Sequence, residues 1–228
     1  VTTPTPPSSG TSLETVAGQV PLDDVLAHLR THRPVFHSEA DLQHGFARAL
    51  WELAPDVRSR LEVPVRRPGQ AEYLDLLCLG PAGRTAIEFK YVTRRWSGTA
   101  GTPAEEYDLR NHGAPDVTRR DFVRDVERLE RFCDRADQNG LALLVTNESS
   151  LWNPQPPGRA RTRDDDFRIH QGRSLSGTLL WAEGTYAPNT RVLRGEYSLA
   201  WRTYAQLGGA GGEFRCLAVF VDPTSGQT

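Results

Sequence analysis

Asp75, Glu88 and Lys90 are the residues of this chain whose types and spacing can do chemistry together. They fall on two strand-like runs, Glu72–Leu79 and Arg84–Val92, joined by the turn-forming segment Gly80-Pro81-Ala82-Gly83. With those four residues as the loop of a hairpin, Leu79 faces Arg84, Leu77 faces Ala86, and Asp75 faces Glu88. Directly opposite residues hold their Cβ atoms about 4.5–5.5 Å apart, and like charges there repel. A positive charge therefore belongs between them. Lys90 lies two residues beyond Glu88 and projects from the same face, because strand side chains alternate. Acid, acid and amine thus converge.

The plainer reading is a solvated face on which Glu88 and Lys90 are only neighbours, an arrangement worth little energetically. Two features of the sequence oppose it. The same face carries Tyr73, Leu77, Leu79 and Val92, while Leu74, Leu76, Ile87 and Phe89 opposite them read as core. Of the 27 Lys and Arg residues, Lys90 is the one lysine and all others are arginines. A chain so biased toward arginine keeps a compact amine where two carboxylates meet, and lysine's point charge is not interchangeable with the guanidinium fork.

The elements around this hairpin follow from periodicity. Leu22, Val25, Leu26 and Leu29 recur at amphipathic spacing after Pro21, which suits a first helical turn. Ser38 is placed to cap a second helix with the stripe Leu42, Phe46, Leu50, Leu53, and Glu39 lies in its first turn. Val57–Val65 alternates as a half-exposed strand, with Pro64 pointing to a sheet edge. The stretch from Trp96 to Pro103 reads as a loop. Thr118 can cap a third helix, buried along Phe122, Val126, Leu129 and Cys133 and ended by Gly140. Leu141–Val145 is a continuous apolar run, as in a strand covered on both faces, so a parallel crossover is expected. Pro154–Asp166 reads as a loop. Strand-like segments then follow near 167–170, 178–181, 197–204 and 214–221.

The expected fold class is α/β, a central mixed sheet flanked by helices. Residues 1–12, rich in Thr, Pro, Ser and Gly, read as a disordered leader and not a signal peptide. Residues 13–228 read as a single domain with a core over 38–147 and a β-rich C-terminal extension over 167–222. The chain has 38% hydrophobic and 25% charged residues and no apolar run of membrane-spanning length, so a soluble, cytoplasmic protein without a membrane partner is expected. Cys78, Cys133 and Cys216 form no Cys-x-x-Cys pair and read as buried structural thiols. The six histidines offer no metal-binding spacing, His112 in its loop being the one to inspect. A net charge of −2 does not advertise nucleic-acid binding, but arginines cluster locally, including the 159, 161 and 163 stretch.

At Asp75 and Glu88-Phe89-Lys90 the sequence resembles the PD-(D/E)XK nuclease superfamily, of restriction-endonuclease-like fold, with Leu74 in place of the leading proline. The order of helix with glutamate, hairpin, helix and strand is also similar, and Glu39 matches the helical glutamate. An acid favoured by the dipole at a helix N-terminus explains Glu39 nearly as well. The stretch from Arg119 to Glu130 looks like part of an uncharacterised bacterial branch of such nucleases. The resemblance covers about Ser38 to Asn147.

It implies a metal-dependent endonuclease acting on nucleic acid, DNA ahead of RNA, in restriction or anti-phage defence. Asp75, Glu88, the main-chain carbonyl of Phe89 and Glu39 would hold Mg²⁺, with Mn²⁺ as substitute. Lys90 would orient or help deprotonate the attacking water and offset charge. Arg94, Arg95, Arg119 and Arg120 are the expected phosphate contacts, and a homodimer would let two sites address two strands. The alternatives are a nucleic-acid-binding module that performs no hydrolysis and an α/β protein-interaction domain that binds no nucleic acid.

Overall fold

The computed structural model describes residues 14–67 and 70–223. The expected leader, residues 1–12, lies outside them. A small hairpin of β1 (Thr15–Val16) and β2 (Val20–Pro21) feeds α1 (Leu22–His32), and Pro21 stands just before that helix, as its N-cap. In α2 (Glu39–Leu53), the Ser38 hydroxyl accepts the Asp41 N–H at 3.2 Å, meeting a donor that has no partner inside the helix. Leu22, Val25, Leu26 and Leu29 of α1 and Leu42, Phe46 and Leu50 of α2 are buried.

Next come β3 (Arg58–Arg67), β4 (Gln70–Leu79) and β5 (Arg84–Val92), an antiparallel meander. β6 (Trp96–Ala100) and β7 (Glu105–Leu109) pair as a separate hairpin where a plain loop was expected; buried Trp96 and Tyr107 anchor it. Then follow α3 (Pro115–Phe132) and β8 (Gln138–Thr146), and after a long irregular segment β9 (Ser174–Leu179) and β10 (Arg191–Ser198), which pair with each other. β11 (Trp201–Gln206) and β12 (Glu213–Val221) follow.

The main sheet has six strands in the order β11-β12-β8-β5-β4-β3. β5 and β8 are parallel, joined through α3, and the other pairs are antiparallel. The protein is thus mixed α/β, with three α-helices among the described residues. No helix among those residues is long and apolar enough to cross a membrane. One sheet face, with Leu76, Cys78, Ile87, Phe89, Leu141 and Leu143, packs on α1 and α2. The other, with Ala86, Ala142, Leu144, Leu217 and Val219, packs on Phe122, Val126 and Leu129 of α3 and on β9 and β10. All three cysteines are buried, and burial pushes the Cys78 and Cys133 thiols up to about 12 and Cys216 to about 11.

Four expectations are corrected. The third helix starts at Pro115 and not after Thr118, because proline's fixed φ suits the first helical position; Thr118 lies inside and donates back to Ala114 O. Gly140 does not end that helix. It sits in β8, where a Cβ would lie 2.9 Å from Leu129 Cβ, so glycine lets α3 approach the sheet. Residues 167–170 are not a strand; Asp165–Phe167 forms a 3₁₀ turn. The C-terminal strands are no mere extension, since β11 and β12 complete the main sheet on the far side of β8.

Candidate active site

The β4–β5 ladder runs in the expected register, Leu79 with Arg84, Leu77 with Ala86, and ends at Leu76 with Ile87. Asp75 and Glu88, next in line, do not pair. The cause lies one strand further out. Glu62 of β3, which would face Asp75, adopts a left-handed conformation at φ 50°. Beyond that point Leu74, Val63 and Val65 join the core on the α3 side, although Leu76 and Leu61, of the same parity, pack on the α1–α2 side. The outer half of the β3–β4 hairpin has rotated away from β5.

That divergence leaves the outward N–H groups of Phe89 and Tyr91 without a strand partner, and backbone donors must be satisfied. Two carboxylates take them. Asp75 Oδ2 accepts from Phe89 N at 2.7 Å, and Glu39 Oε2, from the first turn of α2, accepts from Tyr91 N at 2.9 Å. Asp75, Glu39 and the strand bearing Glu88 and Lys90 are therefore brought together through contacts to the backbone of β5.

α3 supplies the rest. Lys90 Nζ lies 2.8 Å from Asp125 Oδ2 and donates to Phe89 O at 3.0 Å. Arg128 NH2 lies 3.1 Å from Glu88 Oε1 and donates to Tyr73 O at 2.6 Å, and its NH1 lies 3.7 Å from Asp125 Oδ1. The Glu88 and Asp125 side chains are only 2% and 4% exposed. Glu88 Oε1 and Asp125 Oδ2 are thus held by ion pairs, and Arg128 NH1 also donates to Glu88 Oε2 at 3.5 Å.

Four carboxylates, Glu39, Asp75, Glu88 and Asp125, thus share one pocket of charge with two cations, Lys90 and Arg128. Burial raises Glu88 far above the usual carboxylate range, and the neighbouring Asp125 and Asp75 charges push it the same way. Burial also raises Glu39 and Asp125, against the lowering pull of Lys90. On Lys90 burial works to release the proton, but the charges of Asp125 and Glu39 outweigh it and hold the amine protonated above its ordinary value. In this state it is a cationic donor. No group of three or more His, Cys, Asp or Glu side chains among the described residues is already placed to hold a metal ion. The carboxylates are engaged by backbone N–H groups and by Arg128, and the Phe89 carbonyl by Lys90. Four carboxylates beside only two cations nonetheless suit a divalent cation once they are ionised.

Asp125 and Arg128 are the members that sequence reasoning missed. Their signal was present: Asp125 stands three residues after Phe122 and four before Leu129, an acid on the buried stripe. The arginines divide. Arg119 is 3% exposed, bonded to Asp164 Oδ2 and Ser150 O at 2.6 Å each, so it clamps the fold and is not available to a phosphate. Arg120 is half-buried against Asp121 and the Trp181 ring. Arg94 and Arg95 are exposed and line a cleft of about 570 Å³ with Asn111, Asn147, Ser149 and Gln206, at the end where the parallel β5 and β8 finish. His112 clasps its loop, its Nδ1 accepting from Thr93 N at 3.0 Å. No protein-family model, no curated protein and no solved structure matches this chain.

Proposed function

We propose that this chain is a metal-dependent nuclease of restriction-endonuclease-like fold that hydrolyses phosphodiester bonds of nucleic acid, DNA ahead of RNA. The observation that carries the reading is the surplus of buried carboxylate over cation where β4 leaves β5. The resemblance at Asp75 and Glu88-Phe89-Lys90 supports it, as does the order of α2 with Glu39, the β4–β5 hairpin, α3 and the parallel β8.

Asp75 and Glu88 would hold Mg²⁺ or Mn²⁺, with Glu39 and the Phe89 carbonyl as further oxygen donors. Such an ion stabilises charge on a scissile phosphate and lowers the pKa of an attacking water. Asp125 keeps Lys90 protonated and fixed beside the Phe89 carbonyl, so the amine offsets negative charge as it develops. Arg128 pairs with Glu88, so its side chain would have to move aside for that carboxylate to hold an ion. Arg94 and Arg95 meet flanking phosphates. A cytoplasmic role in restriction or anti-phage defence, with a homodimer for double-strand cutting, belongs to the same proposal.

One observation favours a second reading, a nucleic-acid-binding module without hydrolysis: both cations and both unpaired N–H groups of β5 already engage the carboxylates. Incubation of the wild type and Glu88→Gln with single- and double-stranded DNA and RNA, with Mg²⁺ or Mn²⁺, separates the two. Cleavage by the wild type alone is expected. Binding without metal-dependent cleavage would establish the second reading.

A further inference from the structure

A groove of about 420 Å³ runs between α1 and α2. It is lined by His28 and His32 from α1 and by Asp41, His44, Arg48 and Glu52 from α2. His28 and His32 are four residues apart and so share one face of their helix. Their ring centroids are 4.9 Å apart. Two imidazoles that share one Zn²⁺, with Zn–N bonds of about 2.0–2.1 Å at a tetrahedral angle, place their ring centres about 5 Å apart. The sequence around this pair offers no acid at a metal-binding spacing, and the fold brings one from the other helix. His28 Nε2 lies 2.7 Å from Glu52 Oε2.

The hydrogen bonds around these three side chains are of the kind that prepares metal ligands. His32 Nδ1 lies 3.1 Å from the main-chain oxygen of His28. A carbonyl only accepts, so Nδ1 carries the proton and Nε2 of the neutral ring keeps its lone pair. Arg48 Nε donates to Glu52 Oε1 at 2.6 Å, which orients the carboxylate and leaves Oε2 to His28. Metal-bound histidines give their other N–H to a carbonyl or carboxylate, and metal-bound carboxylates are themselves hydrogen-bonded. Asp41 is already spent, both of its oxygens accepting from Arg33. The three side chains are open to solvent: His28 is 27% exposed and Glu52 32%, and His32 is exposed. They do not yet surround one point, since no three such ligands are in place among the described residues. Closing them on an ion takes side-chain rotation at the surface and parts His28 Nε2 from Glu52 Oε2 to about 3.3 Å, the spacing of tetrahedral ligands at that bond length.

We propose that His28, His32 and Glu52 bind a first-row transition-metal ion such as Zn²⁺, which staples α1 to α2. The ion takes the place of the proton that His28 Nε2 shares with Glu52, and water completes its coordination. Two imidazoles and one carboxylate suit such an ion and not Mg²⁺, which prefers oxygen donors. From Glu39 to Glu52 is 13 residues of one helix, about 20 Å along its axis, so this site is separate from the carboxylate cluster of β4, β5 and α3. Nothing here depends on nuclease activity, so either proposal can fail alone.

The test is calorimetric titration of the full chain, free of any histidine tag, with Zn²⁺ in the absence and presence of excess Mg²⁺. One Zn²⁺ per chain should bind, and Mg²⁺ should leave its affinity unchanged. His28→Gln, His32→Gln and Glu52→Gln should each weaken Zn²⁺ by about 100-fold or more, since loss of a mere supporting hydrogen bond already costs about 10–100-fold. Arg48→Met removes such a bond and should weaken it by about tenfold. All four changes fall on exposed or half-exposed side chains, so the fold should survive them. His37→Gln alters an exposed histidine outside the groove and should bind as the wild type does. The melting temperature should rise with Zn²⁺ in the wild type and not in His32→Gln. No Zn²⁺ binding, affinity unchanged in His28→Gln, His32→Gln and Glu52→Gln, or an equal loss in His37→Gln would overturn the proposal.

Discussion

Replacing Arg128 by methionine removes the cation that holds Glu88 and leaves most of the side-chain volume. Arg128 is 14% exposed and Glu88 2%, with 3.1 Å between their charged atoms and Asp125 at 3.7 Å on the same guanidinium. Breaking a buried pair from one side strands the other charge and costs about 3–5 kcal/mol. At about 2–4 °C per kcal/mol for a domain of this size, the melting temperature should fall by about 6–20 °C.

The deficit should depend on pH. The folded pKa of Glu88 is already raised by burial and by Asp125 and Asp75, and loss of Arg128 raises it further. Between the unfolded and folded values the folded state keeps a proton that the unfolded chain has released. Stability therefore falls as pH rises through the ordinary carboxylate range and levels off above the folded value. With the wild-type Glu88 carboxyl raised to about 9, Arg128→Met should accordingly lie closer to the wild type near about pH 7 than near about pH 10. A divalent cation should supply the missing charge: Mg²⁺ at about 100 times its dissociation constant returns about 2.7 kcal/mol. Scanning calorimetry at both pH values, with and without Mg²⁺, reads all of this. A deficit equal at both pH values and untouched by Mg²⁺ would refute the picture of a carboxylate cluster short of positive charge.

Arg119→Met should destabilise by about 3–5 kcal/mol, since it takes from the buried Asp164 its closer arginine and leaves Arg168 at 3.4 Å, while the folded protein keeps the wild-type salt dependence of nucleic-acid binding; a salt slope smaller by about one would instead make Arg119 a phosphate contact. Gly140→Ala should cost about 1–3 kcal/mol by denaturant titration, because the added methyl would stand 2.9 Å from Leu129 Cβ and 3.1 Å from Cys133 Sγ.

What was legible in the sequence was local. Alternation and the Gly-Pro-Ala-Gly turn gave the β4–β5 register as far as Leu76 and Ile87, and Ser38 before an apolar stripe gave the start of α2. Alternation alone carried that register on to Asp75 and Glu88, where it fails, because the left-handed Glu62 belongs to a neighbouring strand and no periodicity encodes it. Glu39 reached the site, yet its contact is to a backbone N–H, which any sequence provides. Asp125 and Arg128 arrive from α3, 35 and 38 residues beyond Lys90, so only the packing of that helix on the sheet joins them to it. Gly140 reads as a helix stop in isolation; its reason in β8 is the closeness of α3, a tertiary fact.

In the proposed cleavage centre Lys90 stands among the carboxylates, and Lys90→Arg is the variant that probes its part in cleavage. The lysine amine fits between Asp125 Oδ2 at 2.8 Å and Phe89 O at 3.0 Å. Arginine keeps the charge but is longer and forked, so it would clamp a carboxylate bidentately and displace the donor from its place. Single-turnover cleavage of the substrate cut by the wild type, at saturating Mg²⁺, should be about 10²–10⁴-fold slower in Lys90→Arg, with substrate affinity and melting temperature close to wild type. Cleavage at near the wild-type rate would make Lys90 no more than a charge in an ion pair and would contradict its place in a cleavage centre.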